Sequence, residues 1–524
     1  MNHEMPNMKR NGSWFFLGLL LVFMAFSIVY AVGKNASNFG RMGDAAIFEQ
    51  LIDNIHDGRG AVSNVFASTQ NFIDRGYVFQ PLDNLLAHDN LPPEQQERNM
   101  LQFHAYYVLY LIAPLQSVFS SSLTLILIQT LCLVGVLAGT SAFVARETRS
   151  IAAASVFGLL VLANPNWSGS LIGQFYPDRI FVFAGFLLFY FAYQGDSKLK
   201  IILAALFVAI LNERAALIGG GFLLATPIYT RKVRGNLGLV ALSCALGLIL
   251  LSYAYYQKTY VLSNLYYGSY MPGDLAELIG RFQLGGFARK TFLLLLANGP
   301  LLIVALANPA TALMALICMI PNIVGNVGGA EKIGWSTHYH SYYIPALFFA
   351  AAVGFARITN WLQLRSPDKR ANRWLGIALP LVFLAIFMAY KPYGERLGYL
   401  FYGSIEQALR TSSALSRGEP TTLDARSRIE ALFPEGASVS TTELGMAMLH
   451  EKTKLGVFGV DTKNFDYIFY PCSAFKMPDP GSAVGPIVTT EWLKAQGFDP
   501  SQMVRSEDID YCRVTHERIH QNDS

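Results

Sequence analysis

The stretch WFFLGLLLVFMAFSIVYAV, Trp14–Val32, followed by GDAAIFEQ, Gly43–Gln50, decides how the rest of the chain is read. The first part is an uninterrupted apolar run of the length a bilayer-crossing helix needs, about 20 residues. The second puts a carboxylate, Asp44, just where that helix leaves the membrane, a costly use of charge that points to function. Lys9 and Arg10 precede the run as they would in a signal peptide. No small-x-small cleavage site follows and the run exceeds a typical h-region, so it reads as an uncleaved first span.

The chain has 524 residues, 52% hydrophobic and only 15% charged, with a mean hydropathy of +0.33. Soluble domains average about 25% charged residues, so this composition belongs to a polytopic membrane protein. The net charge of +4 matters less than its distribution, because the basic residues cluster. The clusters are Lys9/Arg10, Arg146/Arg149, Lys198/Lys200, Arg231/Lys232/Arg234 and Arg365/Lys369/Arg370/Arg373. Between them lie apolar runs near 14–33, 122–145, 151–165, 179–194, 199–211, 215–229, 236–256, 291–306, 310–324, 342–358 and 374–390. About eleven spans with a cytoplasmic N-terminus put every cluster on the cytoplasmic side, as the positive-inside rule requires. No continuous basic stripe or aromatic–basic platform lies outside these runs, which argues against a nucleic-acid partner.

One run stays out of this count. His104–Phe119 is short and contains Pro114, and counting it would invert every later loop, so it reads as a juxtamembrane or re-entrant helix. The runs 199–211 and 215–229 are short too, with Asn212-Glu213-Arg214 between them. Polar backbone at that depth is tolerated only where it lines a cavity or is buried in protein. The outer side then carries a large acidic first loop, 34–103, in which Asp44, Glu49, Asp53, Asp57, Asp74, Asp83, Asp89, Glu94 and Glu97 outnumber the bases. It also carries Asn164–Arg179, Gln257–Lys290, Gly325–Tyr342 and the tail Lys391–Ser524. β-like runs at Ala437–Thr441, Leu455–Val460 and Tyr467–Tyr470, punctuated by Pro and Gly, make the tail a small α/β domain.

The expected organisation is an α-helical polytopic domain over 1–390 and an extracytoplasmic α/β domain over 391–524. Cys132, Cys244 and Cys318 fall in apolar runs and read as packing residues. Cys472 and Cys512 fall in the tail. They pair if it is extracytoplasmic and stay as two thiols if it is cytosolic. No internal repeat of the transporter kind is present.

Four clusters could carry chemistry. Asp44 is the first, a carboxylate able to act as general base towards an acceptor hydroxyl or to hold a divalent metal. Glu49, Asp53 and Asp57 follow on one helical face, which for the last two reads as solvated. The second is Gln174-Phe175-Tyr176-Pro177-Asp178-Arg179, equally readable as a loop-to-helix start with Pro177 in the first turn. The third is Glu213-Arg214, an intramembrane ion pair whose guanidinium suits a phosphate. The fourth is Trp335–Tyr343, where His338 and His340 stand at i, i+2 among aromatics that an interfacial belt also explains. His104 opens the juxtamembrane helix, and Tyr255, Tyr256, Tyr260, Tyr266, Tyr267 and Tyr270 form an aromatic outer segment fit for a belt or a sugar platform.

The order of these features resembles the GT-C superfamily of polytopic glycosyltransferases that use polyprenyl-phosphate-linked sugars. More closely, the chain resembles a bacterial and archaeal membrane-protein family of unknown function grouped with that superfamily. The matching pieces are Asp44–Gln50, Phe103-His104 with Ala113-Pro114-Leu115, Phe175–Asp178, Glu213-Arg214, His338-Tyr339 with Ile344-Pro345, and Ala437–Thr441 before Phe465-Asp466-Tyr467. Two positions depart from the pattern: Tyr176 stands where histidine is expected, and Asn212 where a base is common.

The resemblance implies a GT-C-like transferase in a bacterial inner membrane, its α/β domain periplasmic. The donor would be a polyprenyl-phosphate sugar and the acceptor a glycan, lipid or protein. Asp44 would be catalytic, with Asp178, Arg179, Glu213, Arg214, His338, His340 and His104 binding substrate. A divalent metal, if used, would sit at Asp44 and Asp178. The rival expectations are a non-enzymatic carrier of the same lipid and a scaffold in an envelope complex.

Overall fold

Where one apolar run ends and the next begins, the chain repeatedly supplies Ser or Asn, and these side chains cap the helices that follow. Ser150 accepts from Ala153 N at 3.1 Å, Asn164 from Trp167 N at 2.9 Å and Asn212 from Ala215 N at 2.6 Å. Such caps satisfy amide groups that have no partner inside their own helix. The computed structural model describes residues 13–37, 43–67, 98–262 (apart from 196 and 231–234), 284–324, 337–365 and 428–449. It also describes 454–457, 462–472, 490–507 and 510–522, with scattered positions near 276 and 385–395.

The helices are α1 (Ser13–Ser37), α2 (Gly43–His56), the single turn α3 (Leu109–Ile112), α4 (Ser121–Thr148), α5 (Ile151–Ala163) and α6 (Pro165–Ile172). They continue with α7 (Ile180–Gln194), α8 (Lys198–Ala209), α9 (Glu213–Leu224), α10 (Gly235–Leu262), α11 (Leu284–Ala305), α12 (Pro309–Val324) and α13 (Ile344–Arg365). A two-residue ladder joins β1 (Val62–Ser63) to β2 (Arg98–Asn99). Helix α13 is the centre, buried all round from Ile344 to Ala356 and packed by α4, α7, α11 and α12. At Gly354 a side chain would strike the Val304 carbonyl of α11, so the close approach of these two helices requires glycine. The exterior is leucine-rich, with Leu203, Leu206, Leu239, Leu250, Ile303 and Leu313 exposed. Apolar surface on that scale suits lipid rather than water.

Among the described residues, four helical segments are long and apolar enough to cross a membrane alone: Ser121–Thr148, Gly235–Tyr256, Phe287–Ala305 and Ile344–Gln363. A fifth exists if α5 and α6, bent by 66° at Asn164, form one broken span. The apolar segments Leu17–Val29 and Pro309–Ile320 are shorter. Helices α7, α8 and α9 have 15, 12 and 12 residues. At 1.5 Å per residue they reach about 18–23 Å, less than the hydrocarbon core of about 30 Å. The expected run 374–390 falls mostly outside the described residues, as do Asp74, Asp83, Asp89, Glu94 and Glu97, Tyr266, Tyr267 and Tyr270, and most of both stretches flanking the expected boundary near 390.

Three expectations are corrected. His104–Phe119 is not one helix but α3 running into a 3-10 turn over Ala113–Ser117, because Pro114 withholds an amide hydrogen. Asn164–Ile172 is no loop: Asn164 caps α6, Pro165 occupies its first turn, and the whole segment is buried. Glu49 is only 3% exposed, and Asp53 accepts from Gln116 Nε2 at 2.8 Å, so of the acidic face only Asp57 is solvated.

The tail forms a five-stranded sheet in the order β4-β3-β5-β7-β6, with β3 (Ser438–Thr441), β4 (Lys454–Val457), β5 (Tyr467–Pro471), β6 (Phe498–Arg505) and β7 (Tyr511–His516). Strand β3 runs parallel to β4 and β5, while β7 is antiparallel to β5 and to β6. A disulfide joins Cys472 to Cys512. Of the two states left open for these cysteines, the structure takes the paired one. After β3 comes α14 (Glu443–Leu449), which packs directly on α2 with Met446, Met448 and Leu449 buried. The Asp44 helix is therefore held between the membrane helices and the sheet domain. Closing a 40-residue separation, the disulfide stabilises the sheet domain by about 3–4 kcal/mol. A Cys472→Ser, Cys512→Ser double variant should therefore be clipped within the sheet domain by limited proteolysis of the intact protein under conditions that spare the wild type. Equal resistance would contradict this.

Candidate active site

Five separate segments meet at one end of the helices, and each is positioned by local chemistry. Asp44 stands in the first turn of α2, where a helix dipole favours negative charge. It is half-buried. Its Oδ2 accepts a hydrogen bond from the Tyr176 hydroxyl at 2.5 Å, and its other oxygen has no partner among the described residues. Tyr176 precedes Pro177, which keeps it extended at φ −141° and ψ 138°. Its ring stacks on His338, with centroids 3.9 Å apart and planes at 21°. Phe48, one turn after Asp44, meets Tyr106, Phe175 and Tyr176 edge-on, each at 5.8 Å.

Asp178 is the hub. It is fully buried, in the 3-10 turn Pro177–Arg179. Oδ1 accepts from Asn212 Nδ2 at 2.6 Å, from the Tyr342 hydroxyl at 2.6 Å and from the Tyr106 hydroxyl at 3.4 Å. Oδ2 faces His338 Nε2 at 3.4 Å. Asn212 uses both ends of its amide, the oxygen capping α9 and the nitrogen serving Asp178. A lysine or arginine there could donate but could not cap, which gives the departure at this position a structural sense.

The break between α8 and α9 brings in the next pair. Glu213, 3% exposed, receives His104 Nδ1 at 3.0 Å on Oε1 and Ala105 N at 3.0 Å on Oε2. Arg214 is half-buried and turns the other way, its guanidinium carbon 5.5 Å from the Tyr339 ring centroid and close to the Tyr256 hydroxyl. Asp178 and Glu213 lie within electrostatic reach. Among the described residues, however, no carboxylate oxygen comes within 4 Å of Arg214. The polar break in this helical pair is thus satisfied internally except for Arg214, which meets tyrosines but no carboxylate among the described residues.

Two expected binders are engaged elsewhere. Arg179 is fully buried and donates from Nη1 to the Ser170 carbonyl at 2.6 Å, beside Gly173, where any side chain would strike the guanidinium. With Gln129, which donates to the Gly173 carbonyl at 2.7 Å, it serves the C-terminal carbonyls of α6. His340 is also fully buried, its Nδ1 3.0 Å from the Tyr343 hydroxyl. That hydroxyl belongs to a network with Asn166 and Asn298. Asp44, Asp178, Glu213, Arg214, His338 and His104 do converge. Tyr106 and Tyr342 donate to Asp178; from sequence Tyr106 carries no role, and Tyr342 is one of the aromatics of the Trp335–Tyr343 cluster that an interfacial belt also explains.

Among the described residues no group of three His, Cys, Asp or Glu side chains is gathered for a metal ion. Asp178 Oδ1 is enclosed by donors, while its Oδ2 is buried without a hydrogen-bond partner among the described residues and faces His338 Nε2 at 3.4 Å. Asp44 likewise keeps one oxygen without a partner among the described residues.

A family model described as a predicted membrane protein family, DUF2079, matches residues 43–471, most of the chain and every segment of this site. The chain belongs to the DUF2079 family. The match begins at Gly43, the residue before Asp44, and runs through β5. Among curated proteins no sequence match is found. Among solved structures the chain is similar to ArnT from Cupriavidus metallidurans bound to undecaprenyl phosphate, at 13% identity and a TM-score of 0.47, over 95% of this chain and 98% of that one.

Proposed function

We propose that this DUF2079 member is a GT-C-type transferase. It moves a sugar from a polyprenyl-phosphate donor to an acceptor hydroxyl at the outer face of a bacterial inner membrane, with the eleven-span, N-inside topology read from the sequence. The observation that carries this reading is the presence of two incompletely partnered groups in one cluster of side chains. Among the described residues Asp44 has one oxygen held and one without a partner, and Arg214 is half-buried without a carboxylate contact. A base and a cation able to take a phosphate, both in this cluster of side chains, are what displacement at a glycosyl phosphate needs.

In that reaction the acceptor oxygen attacks the anomeric carbon and its proton passes to the free oxygen of Asp44. The bond from the anomeric carbon to the phosphate oxygen breaks, and the electron pair leaves with polyprenyl phosphate. Arg214 stabilises the charge that develops there, an interaction that strengthens as the bond breaks. A single displacement inverts the anomeric centre. His338 and Asp178 shape the same side, and the Glu213–His104 pair fixes the start of α9 so that Arg214 faces the site. The disulfide supports an outer location, since disulfides persist in oxidising compartments. Its domain packs on the very helix that carries Asp44.

The test is direct. Membranes containing the protein should convert extracted polyprenyl-phosphate sugars to free polyprenyl phosphate, followed by mass spectrometry, and membranes from a deletion strain should not. Equal pools in both would remove the transferase reading and leave the lipid carrier in its place.

A further inference from the structure

Tyr176 has no role in the displacement just described, yet it touches both halves of the site. Its hydroxyl donates to Asp44 Oδ2 at 2.5 Å and accepts from Gln174 Nε2 at 2.6 Å. Its ring lies flat on His338, which in turn faces Asp178 at 3.4 Å. Every degree of freedom of this side chain is restrained from a different direction. Pro177 fixes the backbone, His338 and Phe48 fix the ring, and Gln174 orients the hydroxyl. The Arg179 guanidinium adds a further contact, 5.7 Å from the ring centroid. Such over-determination is unnecessary for satisfying Asp44, because a half-buried carboxylate can be satisfied by water.

We infer that Tyr176 is a positioning residue: its hydroxyl locks the Asp44 carboxylate so that the unpartnered oxygen is the one offered to the acceptor, and its ring ties that orientation to the His338–Asp178 pair. What is positioned rests on the transferase reading; the Tyr176–Asp44 lock itself does not. Of the possible replacements for tyrosine, histidine preserves the lock. Both side chains present a flat ring and a polar hydrogen, and each can stack and donate at once. Phenylalanine can only stack.

The experiment uses the full-length protein and three forms: wild type, Tyr176→Phe and Tyr176→His. The first readout needs no substrate. Labelling of Asp44 by a water-soluble carbodiimide with glycine ethyl ester is followed by peptide mass spectrometry at one fixed pH. Asp44 in the Phe variant should label several-fold faster than in wild type, because it has lost its donor, while the His variant stays near the wild-type rate. The second readout is consumption of extracted polyprenyl-phosphate sugars. Loss of one hydrogen bond to a charged group should lower kcat by about 10- to 100-fold in the Phe variant with KM unchanged, and the His variant should recover most of it. An unchanged labelling rate in Tyr176→Phe overturns the lock. Faster labelling with undiminished kcat overturns positioning. Faster labelling in the Phe variant alone, with no turnover even by wild type, upholds the lock and removes the transferase reading instead.

Discussion

Asp44→Asn is expected to lower turnover of the lipid-linked donor by about 10²–10⁴-fold, the usual worth of a general base, while leaving the protein folded. Asparagine matches the shape of aspartate, and its carbonyl can still accept from Tyr176. It cannot take a proton from the acceptor. The structural loss is small because Asp44 has one hydrogen bond among the described residues, is half-buried, and sits in the first turn of α2. Removing a negative charge at that place costs about 0.3–1 kcal/mol. The measurement is donor consumption by mass spectrometry alongside a thermal unfolding curve in detergent. Wild-type turnover from a correctly folded Asn variant would end the role of Asp44 as base. Asp44→Glu adds a discriminating case: it keeps the base but moves it by one methylene, and partial activity there would show that placement and chemistry both matter.

The helices were largely legible because lipid leaves a spanning chain few choices. Backbone groups must bond within their own segment, so a long apolar run between polar caps has one outcome. Strands β3 and β5 were legible from runs such as Ser438-Val439-Ser440-Thr441 for the comparable reason that they are largely buried and rich in β-branched or aromatic residues. β6 was not, because Phe498–Arg505 is polar and contains Pro500; it is the edge strand with an irregularity between Asp499 and Val504, where proline is tolerated. The polar segment Pro165–Ile172 concealed a buried helix whose signals, Asn164 and Pro165, were local and weak.

At the site, residue types were readable but directions were not. His338 and His340 look like partners at i, i+2. In the 3-10 turn over His338–Tyr342, with about three residues per turn, they point about 120° apart and enter different networks. The bond from Tyr176 to Asp44 spans 132 positions of sequence, and no local pattern contains it.

Asp178→Ala should be the most disruptive single change in the site, costing about 3–5 kcal/mol of stability along with turnover. The carboxylate is fully buried and gathers Asn212, Tyr342, Tyr106 and His338 from three other segments. Alanine leaves those groups facing a cavity too small to return them all to water. The damage should also propagate, because the amide of Asn212 is shared between Asp178 and the cap of α9, the helix that begins with Glu213 and Arg214. Asp178→Asn separates the two effects. Its amide oxygen can still accept from Tyr342 and Asn212, so most stability should remain, but the His338 side now meets a neutral group and turnover should fall. Thermal unfolding in detergent for both variants, read with donor consumption, tests this. An alanine variant as stable as wild type would mean that the network forms without its hub, and the distinction would fail. If stability tracks Asp178 and turnover tracks Asp44, the two carboxylates divide the work: one builds the site and the other performs its chemistry.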